Sequence, residues 1–193
     1  MFSATDFYEA IIDNPVIVAV IDQETYDFAL KSDNKIVFLL DASISNLKDR
    51  VSALLKQKKY VFVHIDMVAG LTSTIAVVDF IADIFNKEVG IITTKYPLIK
   101  RANQKNIRSI YRVFMVDSKS KRMFKSNLKQ GIYPDAIEIM PAFVGKVIEE
   151  IIKEFPKTLV IAGGLITSKK EAYSILNSGA TAISTSAIEL LSE

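Results

Sequence analysis

Apolar runs of strand length alternate with stretches of helical spacing from Val16 to Ser186. That alternation constrains the fold more than any other feature of the chain. Strands are expected at residues 16–21, 35–40, 60–66, 90–94, 109–115, 136–140, 159–162 and 182–185. Helices are expected between them at residues 23–32, 45–57, 72–85, 96–104, 118–130, 143–155 and 168–176. Alternation of this kind implies parallel pairing, and a parallel sheet needs both faces covered. Eight strand-then-helix units predict a single-domain closed (β/α)8 barrel over 1–193, because closure removes the exposed edges. With 193 residues each unit has roughly 24, enough for a short strand, a three-turn helix and tight loops. An open doubly wound sheet is the other fold with this alternation.

The chain is half hydrophobic, which suits one domain with a sizeable core. No apolar run reaches the 18 to 20 or so residues that cross a bilayer. The first residues, MFSATDFYEAIIDNP, have no basic n-region and no long apolar stretch, so no secretory signal is read there. Without cysteine there is neither a disulfide framework nor a thiolate site. A cytoplasmic protein that contacts no membrane is expected.

Charge is unevenly spread. Residues 95–129 carry 11 Lys/Arg and one acid, Asp117, a net of +10, while the rest of the chain sums to −8. Such a sector is either a solvated face or the footprint of a polyanion, nucleic acid above all. In a helix over 118–130, Lys121, Lys125 and Lys129 form one stripe adjoined by Arg122, with Met123, Phe124 and Leu128 opposed and buried. Lys119, Lys121, Arg122, Lys125 and Lys129 are the candidate nucleic-acid contacts. If about six phosphates were neutralised on a single strand, log affinity would fall against log salt with a slope near −4.

Residues at the carboxyl ends of barrel strands line the site. A period of two puts His64 and Asp66 on the face of Phe62, Arg112 with Phe114, and Glu138 with Met140; Lys95 closes the fourth strand. His64, Asp66, Lys95, Arg112 and Glu138 would then converge on one pocket mouth. Each also has a structural reading: His64 as a core residue, Asp66 as a loop cap, and Arg112 with Glu138 as an ion pair inside the barrel. The last two strands end in Gly163-Gly164 and Ser184-Thr185-Ser186, which present N–H and O–H donors where (β/α)8 barrels commonly hold phosphate. They also read as ordinary turns, the glycines supplying only positive φ.

Several segments together carry a family resemblance. VFVHIDMVAGL (residues 61–71) is similar to the signature of the glycerol uptake operon antiterminator family. NPVIVAV, GIITTK, YRVFMVDS, DAIEIMP, VIAGGLI and GATAISTS match that family in order and spacing, over nearly the whole chain. The resemblance implies a TIM-type barrel that senses glycerol-3-phosphate, or a similar phosphorylated polyol, and acts on leader mRNA without turnover. It implies no cofactor and no metal, and leaves room for a homo-oligomer. Gly163, Gly164, Ser184, Thr185 and Ser186 would bind phosphate. His64, Asp66, Lys95, Arg112 and Glu138 would surround the glycerol, and Lys119, Lys121, Arg122, Lys125 and Lys129 would bind RNA. The chain departs from the family at Ile21, where a basic residue is usual, at Leu40-Asp41-Ala42 in place of Leu-Phe-Gly, and at Ala142 in place of glycine. All three departures are expected near the mouth. The competing class is a small phosphosugar isomerase or aldolase-like barrel, with His64, Asp66 or Glu138 as base and Lys95 as Schiff base or electrophile.

Overall fold

A computed structural model of the chain describes residues 4–191. Helix α1 (Ala4–Asp13) precedes the first strand. Then follow β1 (Val16–Val20), α2 (Gln23–Lys31), β2 (Ile36–Leu39), α3 (Leu47–Lys56), β3 (Tyr60–His64), α4 (Ile75–Ile84), β4 (Gly90–Thr93) and α5 (Tyr96–Lys105). The second half runs β5 (Ser109–Phe114), α6 (Ser118–Leu128), β6 (Ala136–Met140), α7 (Gly145–Glu154), β7 (Leu159–Gly163), α8 (Lys169–Asn177), β8 (Ala182–Thr185) and α9 (Ile188–Leu191). Every strand pairs in parallel with the next, and β8 returns to β1, with Val16 opposite Ile183 and Val18 opposite Thr185. The chain is therefore a closed eight-stranded (β/α)8 barrel, not an open sheet.

Helix starts follow local chemistry. Asp22, Asp117 and Ser168 cap α2, α6 and α8 with reciprocal capping boxes, in which the cap side chain accepts from a backbone N–H one turn in. Outward strand residues such as Val37, Val63 and Ile91 pack with helix residues Val51, Val78 and Ala102. The other half of the barrel does the same with Ile137, Val160, Phe124, Ile148 and Ile175.

The inner rows decide where a site can lie. Ile17, Ile36, Phe38, Phe62, Ile92, Ile110, Ala136, Ile161 and Ala182 fill the lower barrel. Phe62 reaches across β4, where a Cβ on Gly90 would sit 2.4 Å from its ring. That close approach requires glycine. Below this layer Phe7, Ala10 and Ile11 of α1 complete the same cluster, with Phe7 and Phe62 ring centroids 5.1 Å apart. Helix α1 thus stoppers the barrel at its amino-terminal end. The amino-terminal stretch, read in the sequence only for the absence of a signal, supplies this floor.

Candidate functional site

Above the apolar layer the inward residues turn polar. The change runs from Phe62 to His64 on β3, from Ile110 to Arg112 on β5, from Ala136 to Glu138 on β6, and from Ala182 to Ser184 on β8. Register sets Arg112 beside Glu138 and Gly163 beside Ser184. Glu138 is fully buried and Arg112 only 4% exposed. Arg112 Nε donates to Glu138 Oε2 at 2.5 Å, and Ser184 Oγ donates to Oε1 at 2.6 Å. Both carboxylate oxygens are thus partnered, as a buried charge requires. A Cβ on Gly163 would lie 2.4 Å from Ser184 Oγ and 2.8 Å from Glu138 Oε1. Gly163 is therefore glycine because the Ser184–Glu138 bond occupies the space a side chain would need.

Over this triad opens a pocket of about 340 Å³ at the carboxyl end of the barrel. Arg112, Glu138, Gly164, Ser184, Thr185 and Ser186 line it. Gly164 has φ +83°, and a Cβ there would sit 2.8 Å from the Met140 methyl. Thr185 Oγ1 donates to the Ile166 carbonyl at 3.2 Å and accepts from Ala187 N–H at 3.1 Å, joining the last two loops. Half of the lining is apolar: Ala19, Ile21, Leu40, Met140, Leu165, Ile166 and Ala187, of which Ala19, Leu165, Ile166 and Ala187 were not singled out from the sequence. Strand parity points to Ala19 and Leu40; nothing local marks Leu165, whose φ is +62°. Of the three family departures only Ile21 lines the pocket. Asp41 pairs with Arg50 at 3.0 Å instead, and Ala142 is buried in the outer core.

Gly163, expected to bind phosphate, is not among the pocket-lining residues, and three further expected residues lie off this pocket. His64 is 3% exposed, and its Nδ1 is buried with no hydrogen-bond partner among the described residues. Burial, with the Arg112 charge next in weight, holds its pKa down to about 4, so it is a neutral imidazole at pH 7. Strand β3 ends at His64, so Asp66 stands in a turn and leaves the inward row expected for it. Its carboxylate accepts from Thr93 Oγ1 at 3.0 Å, Thr94 N–H at 2.6 Å and Thr94 Oγ1 at 2.9 Å. Burial pushes that carboxyl up, but these bonds and one from Ser73 together hold it below its ordinary value. Lys95 is exposed on the outer side of this turn, where Nζ donates to the Ser73 carbonyl at 3.2 Å.

The basic sector is largely answered by acids from elsewhere in the chain. On α6, Lys121 pairs with Glu150, and Lys125 and Lys129 pair with Glu154, both acids on α7. Arg101 and Lys105 share Asp79 of α4, and Arg108 takes Asp135. Among the described residues Lys119 and Arg122 have no carboxylate partner. Phe124 and Leu128 form the buried stripe of α6 as expected, whereas Met123 is exposed. Met123 lies round the helix from that pair, past the arc that meets the barrel.

No His/Asp/Glu cluster with metal-ligand geometry occurs among the described residues, and no described helix is long and apolar enough to cross a membrane. A family model described as the glycerol-3-phosphate responsive antiterminator matches residues 16–191. The glycerol uptake operon antiterminator regulatory protein of Listeria monocytogenes is 29% identical, with a TM-score of 0.83 over 90% of this chain and 92% of its own. A glycerol uptake operon antiterminator-related protein of Thermotoga maritima is 30% identical, with a TM-score of 0.77 over 91% and 96%. The uncharacterized protein YgcP of Escherichia coli (strain K12) is 32% identical over 89% of this chain and 88% of its own. This chain belongs to the glycerol-3-phosphate responsive antiterminator family.

Proposed function

We propose that the chain is a cofactor-independent sensor, in which glycerol-3-phosphate or a similar phosphorylated polyol occupies the mouth pocket. The liganded protein then binds leader mRNA of glycerol-utilisation genes and prevents transcription termination. The observation that carries this reading is the stacking of two sets of polar groups in one pocket. The Arg112–Glu138–Ser184 triad lies at the base, and Gly164, Thr185 and Ser186 line the pocket over it. Glu138 and Ser184 suit the hydroxyls of a polyol. The Arg112–Glu138 bond uses only Nε of five N–H donors, leaving the rest of the guanidinium for an anion. Family membership supports regulation over turnover.

An aldolase-like reading needs an ammonium group in the pocket. Lys95 is not among the pocket-lining residues. Lys59, the buried lysine among the described residues, donates to the Ser32 and Asn34 carbonyls at the amino-terminal end of β3.

A thermal shift series tests the ligand. Glycerol-3-phosphate at about 100 times its dissociation constant should add about 2.7 kcal/mol, a rise in Tm of about 5–11 °C for a domain of this size. A shift with a different phosphate ester alone would reassign the ligand. No shift with any phosphate ester would end the sensor reading. Readthrough of a leader terminator during transcription in vitro, with and without glycerol-3-phosphate, tests the RNA step.

A further inference from the structure

Large apolar side chains stand exposed around the mouth on loops that follow different strands, among them Ile21, Met67 and Leu165. They are densest where β5 and β6 end. There Phe114 is 50% exposed, Val116 75% and Phe143 51%. Phe114 lies opposite Met140, the last residue of β6, and Phe143 follows three residues on, so both belong to one sector of the rim. Phe114 also sits two residues above Arg112 on the same strand face, and Arg112 lines the pocket.

Helices α6 and α7 both begin at this end of the barrel. Lys119 and Arg122 in the first two turns of α6, and Lys146 in the first turn of α7, are exposed and have no ion-pair partner among the described residues. Asp117, the one acid in this stretch of the sequence, accepts from Ser120 N–H at 2.7 Å in the α6 cap. Glu150, a turn further along α7, is already taken by Lys121. Rings standing in water beside unneutralised cations match single-stranded RNA, whose bases stack on aromatic faces while its phosphates meet the charges.

We propose that the β5–β6 sector of the rim is the RNA-docking surface. Bases stack on Phe114 and Phe143, and phosphates meet Lys119, Arg122 and Lys146, next to the pocket that Arg112 lines. This inference rests on the RNA-binding part of the proposed function. It moves the footprint from the paired lysines of α6 to the mouth.

The test starts from RNA enriched by the wild-type protein, with glycerol-3-phosphate present, out of a pool of random sequences about 40 nucleotides long, several times a typical single-strand site. Phe114→Ala and Phe143→Ala should each weaken binding of that RNA about fivefold to a hundredfold with an unchanged salt slope. Lys119→Ala with Arg122→Ala and Lys146→Ala should make the slope shallower by about 2. Lys121→Ala with Lys125→Ala and Lys129→Ala should change affinity less than the rim variants do. In the unaltered protein, 4-thiouridine cross-links should fall on peptides carrying Phe114 and Phe143, a readout independent of how any variant folds. Losses and cross-links confined to the Lys121, Lys125 and Lys129 stripe would overturn the docking surface and leave the RNA reading standing. Conversion of a dimer to a monomer by Phe114→Ala, with RNA binding intact, would make the sector a self-association face and also overturn it. Failure of the wild-type protein to enrich any RNA would end both.

Discussion

Glu138 accepts from two side chains on two different strands, and neither it nor Arg112 reaches water freely. Arg112→Met should therefore cost about 3–5 kcal/mol in urea unfolding, because it strands a buried carboxylate. Arg112→Met combined with Glu138→Leu should recover most of that loss. His64 makes a different prediction. Its imidazole titrates near 4 in the fold against 6.5 for a free one, so between those values the unfolded chain holds the extra proton. Stability from neutral His64 is complete above about pH 6.5 and is lost as pH falls toward 4. Between pH 7.5 and 4.5 the wild-type protein should lose roughly 2–3 kcal/mol more than His64→Gln does. Strand parity alone made Arg112, Glu138 and His64 legible as inward residues. It could not tell an ion pair from a ligand contact, because that depends on register across β5 and β6. Asp66 shows the limit of the method: parity assumes the strand continues, and β3 stops two residues earlier.

Elements were legible where they repeat. The apolar period and the turn residues marked all eight strands, with ends misplaced by a residue or two. Helix α1 carries Phe7, Ala10 and Ile11 at i, i+3 and i+4, an ordinary amphipathic spacing. Its role was not legible, because nothing local says that a helix before the first strand will turn under the barrel. Phe7→Ala should cost about 3–5 kcal/mol, and the denaturant slope should stay that of a single cooperative transition. The basic stripe of α6 is the converse case. A helical wheel placed Lys121, Lys125 and Lys129 together, but their acids lie on α7, some thirty residues on, where local charge counting does not reach.

At the scale of the molecule, the sequence showed a sector of +10 against −8 for the remainder, and folding brings those opposites together. Net charge along a chain predicts a partner only after the internal pairs are removed. On the sensor reading, glycerol-3-phosphate incubated with the protein should be recovered unchanged, as phosphorus NMR would show. The packed lower barrel, floored by α1, has a kinetic meaning. A tube has two doors, but this barrel is a cup, and any molecule that enters must leave by the way it came. Substitutions on the rim should then speed or slow arrival and departure together with little change in Kd. Whatever rests across the rim lengthens the stay of what lies beneath it, and where the two also touch, linkage makes each binding strengthen the other to the same degree.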